Sequence, residues 1–407
     1  MHHRSRRQFS LWLLAAVLLG AGTPSFAQSD AGETTAASPA VEAYIRARTA
    51  FEQEAEAYWQ SIADKRRARF AKRRTGERIV LDDYVLEQPP VYTGPPRPPG
   101  YVLPQRDPER PPVPVPTIPE FLAAAKQQFA FVPDRPKSEA EFKQAYARVA
   151  TAAGVTREQA VRIYAFETGG NGEYDTQAGL TSNKNARPIS PAIGYNQLLS
   201  TNSVSLLAEH GDRLLAALSS SMATADRKAT ERKVATLKTM IAFARSVPNA
   251  WSEHDKLAKF TEGGKGIHAA ILDRDIGPLL QTQKLLNSVN FAKAKSFRRP
   301  LSAVELELMN FTGDGNGFDM VTMPHELRDK VPTSNFFQRG GYERNPIARR
   351  TGTVAALFES IDGKMDRASQ LPGSRALADA FDKPGTADRS AAQSSRAGNG
   401  PAVVNNP

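Results

Sequence analysis

The sequence predicts a mainly α-helical protein. Three segments carry a helix-initiation signal, in which Ser or Thr at the N-cap is followed three residues later by Glu or Gln: Ser138–Glu141, Thr156–Gln159 and Ser302–Glu305. Further stretches repeat apolar residues at helical spacing, namely 203–219, 226–246, 279–294 and 352–368. Runs that alternate apolar and polar residues, as half-buried strands do, are sparse.

Composition indicates that part of the chain lies outside a packed core. Hydrophobic residues make up 40% of the 407 residues, and 29 residues are proline. The chain contains no cysteine, which excludes disulfides, thiolate metal sites and thiol nucleophiles together. No motif for a cofactor or a metal ion is recognisable, so we expect neither.

Residues 1–27 have the pattern of an export signal. Arginines are followed by the short apolar run 11–20, and small residues at 25 and 27 predict cleavage after Ala27. Arg6-Arg7 matches a twin-arginine signal, although an ordinary secretory signal that contains two arginines explains the same residues. We therefore expect a periplasmic or secreted protein. No second long apolar run follows, so we expect no membrane-spanning helix.

The segment 28–87 is polar and is expected to be helical in its middle. Its most basic part is Lys65–Arg74, which contributes to a net charge of +10 for the whole chain. These cations fit a solvated helix end, where they complement the helix dipole, or an electrostatic contact with an anionic membrane or cell wall. Export makes nucleic acid an improbable partner, so we expect none.

Residues 88–119 are predicted to be a proline-rich linker. Of the 29 prolines, 13 fall between 89 and 119, which favours an extended spacer, or a segment held on the domain surface by its tyrosines. Residues 120–371 read as one helical globular domain. The tail 372–407 is rich in Ala, Ser, Gly and Asp and has little to bury, so it is expected to be disordered.

Glu167 is the most informative side chain in the sequence. Six of the seven residues 160–166 are apolar, which is typical of a buried helix, and Gly169-Gly170 should end that helix directly after Glu167. Apolar neighbours and the negative end of the helix dipole both raise a carboxyl pKa, as a general acid near neutral pH requires. A surface Glu paired with Arg157 or Arg162 is the plainer interpretation.

A second informative segment is 191–199. It brings Gly194, Tyr195, Asn196 and Gln197 together ahead of a helix that should start between Ser200 and Ser203. Glycine suits a backbone of positive φ or close approach, and the two amides offer donors and acceptors beside an apolar run. A simple turn before a helix accounts for the same pattern.

Together, these segments resemble the soluble-type lytic transglycosylases, which have a lysozyme-like fold. In that family a helix ends in Glu-Ser, and a Gly-Leu-Met-Gln-like stretch leads into the next helix. Glu167-Thr168 and residues 192–198 match these two elements, with Thr in place of Ser and Tyr195-Asn196 in place of an apolar pair. Residues 308–313 loosely match a third family element, in which an aromatic residue and Asn end a helix.

The resemblance implies a lysozyme-like helical domain with a long helical insertion, preceded by an N-terminal helix and the proline-rich linker. It also implies cleavage of peptidoglycan glycan strands between N-acetylmuramic acid and N-acetylglucosamine, with a 1,6-anhydro end as product. Glu167 would be the single catalytic acid and base. Substrate-binding roles would fall to Thr168, Tyr195, Asn196, Gln197, Asn310 and Phe311.

Two other functions fit the same sequence. One is a non-catalytic cell-wall-binding or scaffold protein with a degenerate lysozyme-like domain. The other is a hydrolase of the lysozyme or chitosanase type, which needs a second carboxylate. Glu173, Asp175 and Asp314 are the candidates for that carboxylate, and loop solvation or a turn is their plainer interpretation.

Overall fold

A computed structural model describes residues 38–102, 114–180, 187–220 and 227–382. The described residues divide into two compact units, of which the first contains 38–49 and 93–102, and the second contains 50–92, 114–180, 187–220 and 227–382. In the first unit, Tyr44 and Tyr101 pack edge to face with ring centroids 5.6 Å apart. The second unit contains the candidate site.

The described residues are mainly helical, as the sequence predicts, and pair as β-structure only in isolated bridges. The α-helices are α1 Pro39–Thr75, α2 Ile118–Phe129, α3 Glu139–Ala152, α4 Arg157–Thr168, α5 Ser200–Ser220, α6 Arg227–Ala244, α7 Trp251–Phe260, α8 Glu262–His268, α9 Ile276–Ala294, α10 Ala303–Thr312, α11 Asp314–Val321, α12 His325–Arg328, α13 Arg339–Glu343, α14 Pro346–Thr351, α15 Val354–Ser369 and α16 Pro372–Asp382. Short 3₁₀ turns cover Leu81–Asp83, Ala269–Leu272 and Thr333–Phe336.

The three predicted helix starts are confirmed. Ser138, Thr156 and Ser302 each accept a hydrogen bond from a backbone N–H in the first turn of α3, α4 and α10. At Thr156 and Ser302 the side chain three residues later also bonds back to the cap, which completes the capping box. The four helices predicted from periodicity are also present, as α5, α6, α9 and α15.

Two apolar clusters form the core of the second unit. One contains α4 together with residues of α10 and α15, and the other contains residues of α5 and α8 with the first turns of α9. Ile163 and Tyr164 of α4 are fully buried in the first cluster. This packing fixes the end of α4, and with it the position of Glu167.

The predicted disorder of the C-terminal tail is wrong for residues 372–382. These residues form α16, which buries Leu377 completely and packs against α3 and α4. Small residues around a single leucine are enough for an amphipathic helix to dock on an existing surface. The rest of the predicted tail, and the predicted export signal 1–27, lie outside the described residues.

The proline-rich linker is predicted as 88–119, and its last two residues instead begin α2. In the second unit, the ring of Tyr92 packs edge to face against Phe51, with centroids 5.5 Å apart. Gln88 Nε2 donates to the carbonyl of Gly352 over 3.1 Å. These contacts match the interpretation in which tyrosines hold the segment on a domain surface. Residues 103–113 lie outside the described part.

Much of the basic segment Lys65–Arg74 is built into the fold. Arg69 is fully buried, and its guanidinium donates to the carbonyls of Asp83 and Asn335 over 2.9 and 3.2 Å. Arg73 pairs with buried Asp319 over 2.6 Å. The predicted helix end is confirmed, because α1 ends at Thr75 with Lys72, Arg73 and Arg74 in its last turn, but the segment is only partly solvated. A contact with an anionic surface stays a prediction for its exposed cations, such as Arg67 and Arg74.

Among the described helices, none combines the length and the hydropathy that crossing a membrane requires.

Candidate active site

Helix α4 presents Glu167 in its last turn, as the sequence predicts. The helix ends at Thr168, and Gly169 follows in the left-handed conformation with φ of 69°. A left-handed residue at this position is easiest for glycine, because it has no Cβ to clash with the carbonyl. Glu167 is half-buried, so its carboxyl lies between the core and solvent.

Asn310 lies next to Glu167, which brings two of the predicted site residues together. Asn310 Nδ2 donates a hydrogen bond to Glu167 Oε1 over 2.7 Å. The contact joins α10 to the end of α4. The amide N–H of Asn310 stabilises the ionised carboxylate, because it donates a hydrogen bond to the carboxylate oxygen while the amide itself stays neutral.

Glu307 is the main site residue that the sequence did not reveal. It lies one helical turn before Asn310 on α10, it is fully buried, and its carboxyl contacts that of Glu167. Neither carboxyl oxygen of Glu307 has a donor among the described residues. The contact with Glu167 becomes a hydrogen bond only when one of the two groups carries a proton. The pair therefore favours a state with one shared proton.

Burial governs the acidity of this pair. Removal from water raises the pKa of Glu307 well above its usual value, and the neighbouring charge of Glu167 raises it further. Burial also raises the pKa of Glu167 to about 7, against the opposing effects of Glu307, two lysines and Asn310. Glu307 is thus the group that stays protonated, and Glu167 is the group that titrates near neutral pH.

Lys284 and Lys364 are the two cations whose fields act on the pair. Lys364 extends from α15, with Nζ 3.9 Å from the centroid of the Phe166 ring. Burial lowers the pKa of both lysines, and the carboxylates oppose this effect. Their positive charges favour the ionised form of Glu167 and offset part of its desolvation.

Phe311 and Thr168 lie near Glu167 with their side chains partly used in packing. The half-buried ring of Phe311 packs against Phe166 and Phe337, with centroids 6.5 and 5.7 Å apart. The Thr168 hydroxyl donates to the Tyr164 carbonyl over 2.7 Å, within α4. Phe311 retains an exposed part. The hydroxyl proton of Thr168 is already used in its hydrogen bond to the Tyr164 carbonyl.

The predicted sugar-binding roles of Tyr195 and Asn196 are wrong, because both side chains are fully buried. The ring of Tyr195 packs between those of Tyr146 and Tyr164, at 5.4 and 4.7 Å, and its hydroxyl donates to Glu139. The Asn196 amide donates to the Gln281 carbonyl and to the Tyr146 hydroxyl, over 2.9 and 3.2 Å. These polar groups replace the family's apolar pair inside the core.

Gln197 also serves the fold. Its Nε2 donates to the carbonyls of Gly194 and Thr176, over 2.8 and 3.0 Å, and its own φ is 41°. Gly194 has a φ of 85°, and a Cβ there would lie 2.0 Å from Gln281 Nε2, which confirms the predicted close approach. Gln197 is half-buried, and its substrate contact stays a prediction beside this role in holding the turn.

Two of the other candidate carboxylates have partners of their own. Asp175 pairs with Arg135, and Asp314 accepts a hydrogen bond from Ser288 Oγ over 2.6 Å. Glu173 lines a cavity of about 410 Å³, and two further cavities measure about 540 and 330 Å³. The described lining of these three cavities does not include Glu167.

Comparisons of the chain with protein-family models, with curated proteins and with solved structures give no significant match. The family resemblance therefore rests on the sequence motifs alone.

A signal for Glu307 was present in the sequence. Residues 306–311 read Leu-Glu-Leu-Met-Asn-Phe, so that one carboxylate interrupts an apolar run three residues before Asn310. Residues three apart share a helix face, which places Glu307 on the same side as Asn310. Lys364 lies in α15, an amphipathic helix with several charges, where no comparable pattern distinguishes it. Lys284 carries a signal like that of Glu307, because it is the only charged residue between Ile276 and Phe291 of α9.

Proposed function

We propose that the chain is an exported peptidoglycan lytic transglycosylase in which Glu167 acts first as acid and then as base. The observation that carries the proposal is the position of Glu167 beside buried Glu307 and Asn310, where burial raises its pKa to about 7 although both neighbours lower it. A general acid works best when its pKa lies near the working pH. The motif resemblance supplies the substrate and the reaction type.

In the first step, Glu167 protonates the glycosidic oxygen between N-acetylmuramic acid and N-acetylglucosamine. The bond from the anomeric carbon to this oxygen breaks, and the proton stays with the leaving sugar. A carboxyl with a pKa of about 7 is protonated in about half of the molecules at pH 7. An ordinary exposed Glu would be almost wholly ionised at that pH.

In the second step, the Glu167 carboxylate takes the proton of the muramoyl C6 hydroxyl. The C6 oxygen attacks the anomeric carbon, so the 1,6-anhydro ring forms and Glu167 regains its proton. No water is consumed. Between the two steps Glu167 is ionised, and Asn310 Nδ2, Lys284 and Lys364 stabilise that form.

The position of Glu307 supports a mechanism with one catalytic carboxylate. Retaining and inverting glycosidases separate their carboxyl groups by roughly 5–5.5 Å and 6.5–9.5 Å, to accommodate the sugar or a water. Glu307 instead contacts Glu167 directly and is fully buried, so it has no access to a sugar. We assign it the role of positioning Glu167 and setting its pKa.

A non-catalytic cell-wall-binding protein is the second candidate. The observation in its favour is that Tyr195 and Asn196 are fully buried, so they do not supply a sugar-binding wall. Such a protein keeps the fold and an affinity for glycan strands without turnover.

Incubation of the mature chain with purified peptidoglycan sacculi distinguishes these functions. Mass spectrometry of the released material should show 1,6-anhydro-muropeptides. New reducing ends would instead indicate a hydrolase, and sedimentation of the chain with sacculi without release of fragments would indicate a binding protein. Either of the last two results would overturn the proposal.

A further inference from the structure

A groove of about 540 Å³ lies between three helices of the second unit. Arg148 and Val149 line it from α3, and Arg213 and Leu214 line it from α5. On α9 the lining residues fall at 279, 282, 283 and 286, which is the spacing of one helix face. The volume is within the range of small-molecule sites in proteins.

The two arginines give the groove an uncompensated positive charge. Arg148 and Arg213 are both exposed, and neither guanidinium has an ion-pair partner within 38–102, 114–180, 187–220 or 227–382. No acidic residue is among the described lining residues. A guanidinium offers paired N–H donors that match a carboxylate or a phosphate. The charge therefore favours an anionic group.

The walls of the groove are apolar. Leu214 and Leu286 are 3% and 7% exposed, and Leu279 is half-buried between them along the groove. Alanines of α3 and α5 leave the space open, since their side chains end at Cβ. A hydrocarbon chain placed against these leucines would be removed from water, which favours binding.

One polar group in the lining has an unmet hydrogen bond. Thr282 is 1% exposed, and its hydroxyl has no hydrogen-bond partner among the described residues. Buried hydroxyls normally have a partner, because a buried hydroxyl without a hydrogen bond destabilises the fold. A ligand oxygen that reaches Thr282 would supply this partner.

We propose that this groove binds a small amphipathic anion, with its hydrocarbon chain between α5 and α9 and its carboxylate or phosphate on Arg148 and Arg213. The two arginines match the charged group of such a ligand, and the apolar channel matches its hydrocarbon chain. An inorganic anion matches only the arginines, and an uncharged alcohol matches only the channel. The inference does not depend on the proposed activity of Glu167.

Isothermal titration calorimetry of the mature chain tests the proposal. The probes are octanoate and octyl phosphate, compared with acetate and inorganic phosphate as anions without a chain, and 1-octanol as a chain without a charge. We expect at least one of the charged octyl probes to bind at least tenfold more tightly than its chain-free anion and than 1-octanol.

Variants locate the binding. The double variant Arg148→Gln, Arg213→Gln should weaken binding of the charged octyl probe at least tenfold and leave 1-octanol unchanged. Arg232→Gln, which removes an exposed arginine of α6 outside the groove lining, is the matched control and should have no effect. Ala217→Trp keeps both arginines but fills the groove, and it should also weaken binding.

Three results would overturn the inference. They are the absence of heat with both charged octyl probes, equal affinity for those probes and 1-octanol, and unchanged affinity in the Arg148→Gln, Arg213→Gln variant. Circular dichroism of each variant confirms that a loss of binding does not come from unfolding.

Discussion

The carboxyl groups of Glu167 and Glu307 lie in contact, and only the Glu167 side retains access to solvent. Glu307 has no other donor among the described residues, so it satisfies its hydrogen bond by keeping its proton and sharing it with Glu167. This arrangement couples the acidity of half-buried Glu167 to that of buried, neutral Glu307. The pair also makes the stability of the fold depend on pH.

Glu307→Gln should weaken this pH dependence. Both carboxyls have raised pKa values, so the folded protein binds more protons than the unfolded chain between about pH 4.5 and the folded pKa. Each contribution to the free energy of unfolding is complete below about pH 4.5. That of Glu167 is lost as the pH rises through about 7, and that of Glu307 is lost at higher pH. Gln keeps the shape and a donor but does not titrate.

Urea unfolding at several pH values between 4.5 and 8 measures this effect. The fall in the free energy of unfolding should be smaller in Glu307→Gln, by up to about 1.4 kcal/mol per pH unit. Glu326→Gln, an exposed carboxylate of α12, is the control and should follow the wild type. Parallel curves for Glu307→Gln and wild type would mean that Glu307 does not hold an extra proton in the fold.

Asn310→Ala should reduce the proposed activity and shift its pH profile. The variant removes the 2.7 Å hydrogen bond that stabilises ionised Glu167, so the pKa of Glu167 should rise above about 7. The alkaline limb of the rate profile should move to higher pH. A hydrogen bond to a charged group contributes about 1.5–3 kcal/mol, so we expect a loss of at least about tenfold.

Initial rates of sacculus cleavage between pH 5 and 9 measure both effects. Asn316→Ala, a half-buried asparagine of neighbouring α11, is the control and should keep the wild-type profile. A profile of Asn310→Ala that is lower but unshifted would assign Asn310 a structural role only.

Lys364→Met should also move the alkaline limb to higher pH. The Lys364 ammonium lowers the pKa of both carboxyls, and its removal leaves the ionised form of Glu167 less stable. Lys364 is exposed, so the fold should tolerate the change. Lys364→Arg keeps the charge and should retain the wild-type profile. Identical profiles for the Met and Arg variants would contradict an electrostatic role.

Tyr195→Phe should cost stability and leave the proposed catalysis intact. The variant removes a buried hydroxyl that contacts Glu139 and that accepts from Lys143 over 3.2 Å, which we expect to cost about 1–3 kcal/mol. Thermal unfolding measures the loss, and kcat/KM at low temperature measures catalysis. A large increase in KM with unchanged stability would restore the sugar-binding role that its burial contradicts.

The sequence predicted the helices well because their signals are local. Capping residues around Ser138, Thr156 and Ser302 and the apolar periodicity of α5 and α9 depend on residues a few positions apart. Helix α16 was missed because it has few apolar anchors, buried Leu377 and partly buried Phe381, and it packs on a surface provided by α3 and α4.

The site was predictable only in part, because contacts between residues far apart in the sequence leave no local signal. The end of α4 at Gly169 follows from the sequence, and so does the position of Glu167 beside apolar residues. The contact between Glu167 and Glu307 joins residues 140 positions apart, and no local pattern encodes it. Tyr195 and Asn196 were misread because polar groups beside an apolar run serve a buried network as well as a binding surface.

The most direct test of the central claim is the yield of 1,6-anhydro-muropeptides from sacculi treated with the wild type, with Glu167→Gln and with the control Glu173→Gln. The account predicts that Glu167→Gln lowers the yield at least about 1,000-fold, because one carboxyl serves both proton transfers, with folding and sacculus binding preserved. Glu173→Gln should stay within a few-fold of the wild type. Near-normal yield from Glu167→Gln would contradict the account.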